Sequence, residues 1–157
     1  GVQWAAQPGN DVDPNDACGL TVSVQRTTVS DTDDVRPKSE ACEAAGKEPI
    51  TVLAFDTADN AALAALVGRA DAYSADSPVS AWAVERSDGR LEMIGEMFDA
   101  APYGFAVPKG SPLAPAMAAA MQHLIDTGDY ERILQQWNID TGLLGQALIN
   151  EQPLGGQ

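Results

Sequence analysis

Apolar and polar positions change their period repeatedly between Val2 and Phe98. Short segments rich in β-branched and apolar residues alternate with segments whose apolar residues recur at helical spacing, which predicts strands and helices in turn. The predicted strands are Gly1–Gln7, Leu20–Gln25, Pro49–Phe55, Ala70–Ala75 and Leu91–Phe98, and the predicted helices are Asp31–Gly46, Asn60–Val67 and Ser77–Arg86. This alternation predicts an α/β fold with a mostly parallel sheet.

The pattern differs beyond the fifth strand. Tyr103–Val107 is one further predicted strand. Two amphipathic helices follow at Leu113–Thr127 and Tyr130–Trp137, because apolar residues recur there at helical spacing. We then expect a weak helix at Leu143–Ile149 and a mobile tail rich in Gln, Pro and Gly.

The chain is strongly acidic. Among its 157 residues, nine Lys and Arg oppose 23 Asp and Glu, which gives a formal net charge of −14. This charge repels phosphate backbones and anionic lipid surfaces, so we expect no nucleic-acid partner. No apolar run is long enough to cross a bilayer, and the start, Gly1-Val2-Gln3-Trp4, lacks the basic and apolar regions of a signal peptide. We therefore expect either a cytosolic protein or one whose targeting segment has been removed.

Two cysteines allow two interpretations. Cys18 precedes the strand Leu20–Gln25, and Cys42 lies near the end of the helix that follows this strand. If the strands before and after that helix are parallel neighbours, the two cysteines lie close enough for a disulfide, which implies an oxidising compartment. Two unrelated thiols are the alternative. No His or third Cys lies near them in the sequence, so a zinc site lacks its ligands.

One carboxylate directly follows a predicted strand. Asp76 comes after the strand Ala70–Ala75, and Ser77-Pro78 begins the next helix. Ligands of open α/β sheets bind outside the carboxyl ends of the strands, so Asp76 is placed to bind a cation. Asp is also a preferred N-cap residue, and capping of the next helix is the alternative.

A turn rich in hydroxyl groups follows the strand Leu20–Gln25. Its sequence is Arg26-Thr27-Thr28-Val29-Ser30-Asp31, and the helix after it offers N-terminal N–H groups to an anionic or polar ligand. An ordinary strand-to-helix turn is the alternative. His123, the single histidine, has no carboxylate or cysteine partner near it, and we interpret it as a surface residue. The motifs of serine hydrolases, phosphate loops and zinc proteases are absent, which favours a binding protein over an enzyme.

Four stretches in fixed order resemble a known family. They are Cys18-Gly19-Leu20-Thr21-Val22-Ser23-Val24-Gln25, Gly68-Arg69-Ala70-Asp71-Ala72 with Asp76-Ser77-Pro78, Ala101-Pro102-Tyr103-Gly104-Phe105-Ala106-Val107-Pro108-Lys109-Gly110-Ser111, and Gly128-Asp129-Tyr130-Glu131-Arg132-Ile133-Leu134-Gln135-Gln136-Trp137. In these stretches the chain resembles the extracellular solute-binding proteins of bacterial ABC importers, in the polar amino-acid branch called family 3. Its two cysteines and Gly46-Lys47 are similar to actinobacterial members.

The resemblance implies a fold and a division of the chain. The fold is that of the type II periplasmic binding proteins, in which hinge strands join two three-layer αβα lobes. By this resemblance, residues 1–15 are the first hinge strand and a linker, 16–100 the second lobe, 101–111 the returning hinge strand, and 112–157 the C-terminal helices and tail. Those helices normally pack on the first lobe, whose main part has no counterpart in this sequence. The chain therefore resembles a fragment of a receptor.

The resemblance also implies ligand contacts. Asp76 matches the carboxylate that holds the α-ammonium group of the ligand, so binding becomes the preferred interpretation over capping. Gln25, Thr27, Thr28 and Val29 match the strand end and turn whose backbone and hydroxyl groups meet the ligand. The family commonly has Gly where Thr27 stands. Because a β carbon disfavours a positive φ, we expect the turn or the ligand class to differ here.

The function implied is that of an extracytoplasmic receptor, secreted or anchored as a lipoprotein on the outer face of the cell membrane. It would capture an amino acid or similar small zwitterion by closing two lobes and deliver it to a membrane permease. We expect no catalysis, no cofactor and no metal. The alternatives are an enzyme on the same fold, such as a dehydratase or lytic transglycosylase, and a sensory domain. We also expect the apolar faces of the C-terminal helices to fold onto the chain's own lobe or onto a second copy.

Overall fold

The computed structural model describes residues 1–137, 139 and 141–153. The chain divides into two compact units, Gly1–Ala100 and Ala101–Gln157. Residues 138, 140 and 154–157, which include the end of the predicted tail, lie outside the described residues.

A five-stranded sheet forms the centre of the first unit. Its strands are β1 Val2–Ala6, β2 Thr21–Gln25, β3 Thr51–Phe55, β4 Ala72–Asp76 and β5 Glu92–Phe98, in the spatial order β3-β2-β4-β1-β5. Strand β2 is parallel to both β3 and β4, whereas β1 is antiparallel to β4 and β5. The predicted mostly parallel sheet is confirmed, and β1 is the strand of opposite direction.

Helices cover both faces of this sheet. A π-helical segment, Ser30–Val35, continues directly into α1 Arg36–Ala44, and two further helices are α2 Ala58–Leu66 and α3 Ser77–Glu85. Trp4 packs in one core with residues of the π-helical segment and α1, and Ala5 packs in the other with residues of α2 and α3. Successive residues of a strand point to opposite faces, so the two cores lie on opposite sides of the sheet. The predicted three-layer αβα lobe is confirmed.

Strand β1 lies inside this sheet, between β4 and β5. Four of its five residues, all except Gln3, are buried. A strand covered on both faces is expected to be apolar nearly throughout, and Val2, Trp4, Ala5 and Ala6 fit that rule. Its role as a hinge strand remains a prediction.

The second unit contains two helices and a short hairpin. Helix α4 is Leu113–Asp126 and helix α5 is Asp129–Gln135, so both predicted helices are confirmed with slightly shorter ends. Gly128 joins them with a φ of 77°, a conformation that glycine adopts without steric cost.

Two sequence predictions in the second unit are wrong. Tyr103–Val107 has no regular secondary structure, because a strand exists only where it pairs with another and none of the described strands pairs with this segment. The predicted helix Leu143–Ile149 is also absent. Instead, β6 Leu148–Ile149 pairs with β7 Gln152–Pro153. Asn150 and Glu151, with φ values of 48° and 63°, form the two-residue turn between them, as a type I′ turn requires.

Candidate functional site

The parallel strands bring their carboxyl ends to one edge of the sheet. Strands β2, β3 and β4 end there with Gln25, Phe55 and Asp76. Strand β1 runs in the opposite direction and begins at the same edge, because Val2 pairs with Asp76. This carboxyl edge is therefore where the turn after β2 and the carboxylate after β4 meet.

Asp76 presents its carboxylate at the carboxyl edge. It stands at the N-cap position of α3 and is half-buried, yet its side chain makes no cap hydrogen bond. The next N–H group, that of Ser77, donates to the carbonyl of Gly1 at 2.7 Å. Within the described ranges, no hydrogen bond or ion pair engages the Asp76 carboxylate. Side-chain capping of α3 is therefore the wrong interpretation, and the carboxylate remains available to a cation.

The predicted turn residues lie beside Asp76. Strands β2 and β4 are paired neighbours, with Val24 opposite Ser74, and paired strands lie about 5 Å apart. The structure therefore brings the predicted ligand-binding residues to one edge. They are Gln25, Thr27, Thr28, Val29 and Asp76. Their roles in binding remain predictions.

Hydrogen bonds within the turn occupy several of its polar groups. The Thr28 hydroxyl donates to the carbonyl of Gln25 at 2.7 Å, and the Thr27 hydroxyl donates to that of Arg26 at 2.6 Å. Gln25 Nε2 donates to the carbonyl of Asp56 at 3.3 Å. With its hydrogen donated, the Thr28 oxygen keeps lone pairs that accept from a ligand N–H. Val29 leaves its side chain 52% exposed at the same place.

Thr27 adopts a backbone conformation that favours glycine. Its φ is 61°, in the left-handed region. For a β-branched residue this conformation is an outlier, with a cost of about 1–3 kcal/mol. The turn thus has a positive φ although its residue disfavours one. The expectation that the turn or the ligand class differs from that of the family stays a prediction. Contacts from the following helix offset the strain.

Two carboxylates of the π-helical segment were missed as functional candidates. Asp31 and Asp34 lie at the start of the predicted helix Asp31–Gly46, and both are only 3% exposed. Asp31 Oδ2 accepts the N–H of Thr27 at 2.9 Å, and Asp31 Oδ1 lies 2.7 Å from Arg36 Nε. The spacing of these residues could have predicted their burial. Asp31, Asp34 and Val35 share one helix face, and the apolar Val35 indicates that this face is buried.

Asp34 holds together the sheet and the helix on one face. Its Oδ2 accepts hydrogen bonds from Trp4 Nε1 and from Ser74 Oγ, both at 2.7 Å. Its Oδ1 lies 2.6 Å from Lys38 Nζ. The Lys38 ammonium also lies over the rings of Trp4 and Phe98, 4.9 and 4.1 Å from their centroids. These contacts compensate for burying a charge.

Tyr73 places a hydroxyl group in the opposite core. The residue is completely buried, and its hydroxyl has no hydrogen-bond partner among the residues that the structure describes. Burial, together with the negative charges of Asp59 and Asp76, raises the pKa of this hydroxyl well above its ordinary value. Tyr73 therefore stays neutral at physiological pH.

Asp71, which belongs to the second of the four family-like stretches, has a structural role. Its Oδ2 accepts the N–H of Thr21 at 2.7 Å, and its own N–H donates to the carbonyl of Thr21 at 2.8 Å. Both bonds join the start of β2 to the segment before β4. This acidic residue therefore lies at the amino end of these strands, away from the carboxyl edge.

The cysteines form a disulfide. Cys18 and Cys42 are bonded across a sequence separation of 24 residues. The bond joins the segment before β2 to α1, whose following strand β3 is the parallel neighbour of β2. The disulfide interpretation is confirmed, and the alternative of two free thiols is wrong.

Two further observations concern other kinds of site. Over the described residues, no group of three or more His, Cys, Asp or Glu side chains is arranged to hold a metal ion. None of the described helices combines the length and apolar character that a membrane span requires.

One curated relative matches nearly the whole chain. The arginine-binding protein ArgT of Corynebacterium glutamicum is 66% identical over 156 residues, which are 98% of this chain and 51% of that protein. The chain thus spans about half the length of the curated relative that it matches. No model of a protein family matches the chain.

Two solved structures have a similar fold. An ancestral arginine-binding protein bound to arginine is 28% identical, with a TM-score of 0.67 over 87% of this chain and 59% of that one. The arginine-, lysine-, histidine-binding protein ArtJ of Geobacillus stearothermophilus is 29% identical, with a TM-score of 0.58 over 87% of this chain and 57% of that one. This chain is similar in sequence and in fold to amino-acid-binding proteins.

These similarities confirm the resemblance that the four stretches predicted. The curated relative comes from Corynebacterium, an actinobacterial genus, as the two cysteines and Gly46-Lys47 predicted. The fold class is confirmed as well, because the solute-binding proteins share the central sheet with helices on both sides.

Proposed function

We propose that this chain forms the second lobe of an extracytoplasmic receptor that binds arginine or a similar cationic amino acid. The observation that carries the proposal is the Asp76 carboxylate, which ends β4 beside the turn after β2 and has no partner among the described residues. The 66% identity to an arginine-binding protein supports the choice of ligand class.

The proposed binding mode uses one carboxylate and one turn. Asp76 holds the α-ammonium group of the ligand through a charge-assisted hydrogen bond, worth roughly 1.5–3 kcal/mol. Gln25, Thr27, Thr28 and Val29 meet the rest of the ligand backbone through N–H groups and hydroxyl oxygens. The net charge of −14 attracts a cationic ligand over long range and raises its local concentration.

The proposed mechanism is closure of two lobes around the ligand. In this proposal residues 1–15 and 101–111 contribute the hinge, and residues 112–157 pack against a first lobe that the rest of the receptor supplies. Ligand that touches both lobes stabilises the closed state and shifts the population towards it. The closed receptor then delivers its ligand to the permease of an ABC importer. Secretion or lipid anchoring and self-association of this chain alone belong to the same proposal.

The proposal assigns no catalysis to the site. A general acid or base needs a proton to transfer and a pKa suited to that transfer. Asp76 is instead placed to pair with an ammonium group of the ligand. We therefore propose binding without turnover and without a cofactor.

The test is calorimetric titration of the receptor that contains this chain. We expect arginine to bind, and Asp76→Asn to weaken the affinity about 10- to 150-fold, the equivalent of a lost charge-assisted hydrogen bond. Asp56→Asn is the matched control, because Asp56 follows β3 at the same edge and is already paired with Arg26 at 3.1 Å. Unchanged affinity in Asp76→Asn removes Asp76 as the anchor, and failure of every amino acid to bind removes the proposed function.

A further inference from the structure

The turn after β2 keeps a backbone conformation that its own residue disfavours. Thr27 has a φ of 61°. A β-branched side chain clashes with the backbone in this region, and such a conformation persists only where neighbouring contacts enforce it. A neighbouring group must therefore hold Thr27 in this conformation.

Asp31 makes the contact with Thr27. Its Oδ2 accepts the Thr27 N–H at 2.9 Å, and its Oδ1 lies 2.7 Å from Arg36 Nε. A carboxylate that is only 3% exposed is unusual unless it is paired, and these two contacts supply the pairing. Arg36 is about half exposed, so its guanidinium is anchored from the outside of the lobe.

The same residue also holds Thr28. The Asp31 N–H donates to the carbonyl of Thr28 at 3.0 Å, and Thr32 N–H donates to that carbonyl at 2.9 Å. The Thr28 carbonyl thus accepts two bonds at the start of the helical segment. Along the described part of the chain, the N–H groups of Thr28 and Val29 have no acceptor. The side chain of Asp31 thus fixes one residue of the turn, and its backbone fixes the next.

We propose that Asp31 is a positioning residue of the ligand site, whose buried carboxylate holds Thr27 in the left-handed conformation and thereby orients the N–H groups of Thr28 and Val29 towards the ligand. This inference rests on the proposed function, because it concerns the geometry of the same site. If Asp31 served stability alone, its removal would lower the free energy of unfolding and leave the affinity of the folded protein unchanged.

The experiment measures arginine affinity by calorimetry in the receptor that contains this chain. Asp31→Ala removes the acceptor of the Thr27 N–H, and we expect affinity to fall about tenfold, the equivalent of one charge-assisted hydrogen bond. Asp34→Ala is the matched control, since Asp34 is equally buried in the same helical segment but contacts Trp4, Ser74 and Lys38 instead. Asp34→Ala should lower stability and leave the affinity of the folded fraction within about twofold of the parent.

A second comparison separates positioning from a general structural effect. Glycine adopts a positive φ without a side-chain clash, so a Thr27→Gly background needs less enforcement of the turn. We expect Asp31→Ala to cost less than about threefold in affinity within that background, against about tenfold in the parent. An equal loss in both backgrounds contradicts the proposed mechanism.

The outcomes for the two proposals differ. If the parent receptor binds arginine and Asp31→Ala binds equally well, this inference is overturned and the proposed function stands. If the parent binds no amino acid, the proposed function is overturned and this inference with it.

Should Asp31→Ala fail to fold, Asp31→Asn replaces it. That variant keeps an acceptor oxygen but no charge, so a loss of about threefold that disappears in the Thr27→Gly background supports the inference, and no loss overturns it.

Discussion

The indole Nε1 of Trp4 donates a hydrogen bond of 2.7 Å to Oδ2 of Asp34, which lies 30 positions further along the chain. Ser74, the residue opposite Trp4 on the neighbouring strand, donates to the same oxygen. One buried carboxylate therefore joins β1, β4 and the helical segment after β2. This contact therefore packs the helical segment onto one face of the sheet.

Loss of the Asp34 carboxylate is expected to destabilise the protein strongly. Asp34→Ala leaves the Trp4 and Ser74 donors without their acceptor and the Lys38 ammonium without its counter-charge, so we expect a loss of about 3–5 kcal/mol in the free energy of unfolding. Urea denaturation measures it. Asp33→Ala is the control, because Asp33 is exposed on the same helical segment and should change stability by less than about 0.5 kcal/mol. Equal effects in the two variants would show that the Asp34 contacts contribute nothing.

The Cys18–Cys42 disulfide is expected to stabilise the first unit. It closes a sequence separation of 24 residues, for which the chain-entropy estimate is about 3–4 kcal/mol. We expect reduction, or the double substitution Cys18→Ala and Cys42→Ala, to lower the free energy of unfolding by that amount. The double variant should in turn be insensitive to reductant. A reductant effect of the same size on the double variant would show that the stabilisation has another source.

Tyr73 is expected to make stability fall at alkaline pH. Its hydroxyl has a pKa raised by burial and by the charges of Asp59 and Asp76 above the ordinary value of 10.0. The folded state therefore favours the protonated form, so this contribution is complete below pH 10.0 and is lost as pH rises above it. We expect Tyr73→Phe to remove this alkaline loss, measured by urea denaturation at neutral and alkaline pH.

Two comparisons check the Tyr73 prediction. At neutral pH, Tyr73→Phe should change stability by less than about 1 kcal/mol, because the hydroxyl has no described partner to lose. Tyr130→Phe should keep the full alkaline loss, since it retains Tyr73. If the alkaline profile of Tyr73→Phe matched that of the parent, titration of Tyr73 would not be its cause.

Local sequence predicted the elements of the first unit well. Strands β1 to β5 and their helices follow from the hydrophobic periodicity, because apolar residues recur at strand or helix spacing. The ends of these elements fall near glycine, proline and acidic residues. The same local information failed where pairing or backbone strain decided the structure. Tyr103–Val107 has strand composition but no described strand beside it, and Asn150 and Glu151 form a hairpin turn where a helix was predicted.

The candidate site was predicted in part. Asp76 and the turn from Gln25 to Val29 were identified because residues that follow parallel strands collect at one edge of the sheet. Asp31 and Asp34 were missed, because an acidic residue near a helix start is normally exposed and favoured there by the helix dipole. Only their partners, Thr27 for one and Trp4 with Ser74 for the other, make burial favourable.

By itself, the sequence determined the α/β layering, the carboxyl edge and the placement of Asp76, because these follow from periodicity and chain order. Only the tertiary structure decided which carboxylates are buried, that Thr27 takes a left-handed conformation, and that Asp76 does not cap α3. The physical reason is that a buried charge or a strained residue is stable only through its contacts. These form within the folded turn for Thr27 and Asp31, and with residues distant in the chain for Asp34. Those contacts exist only once the chain has folded.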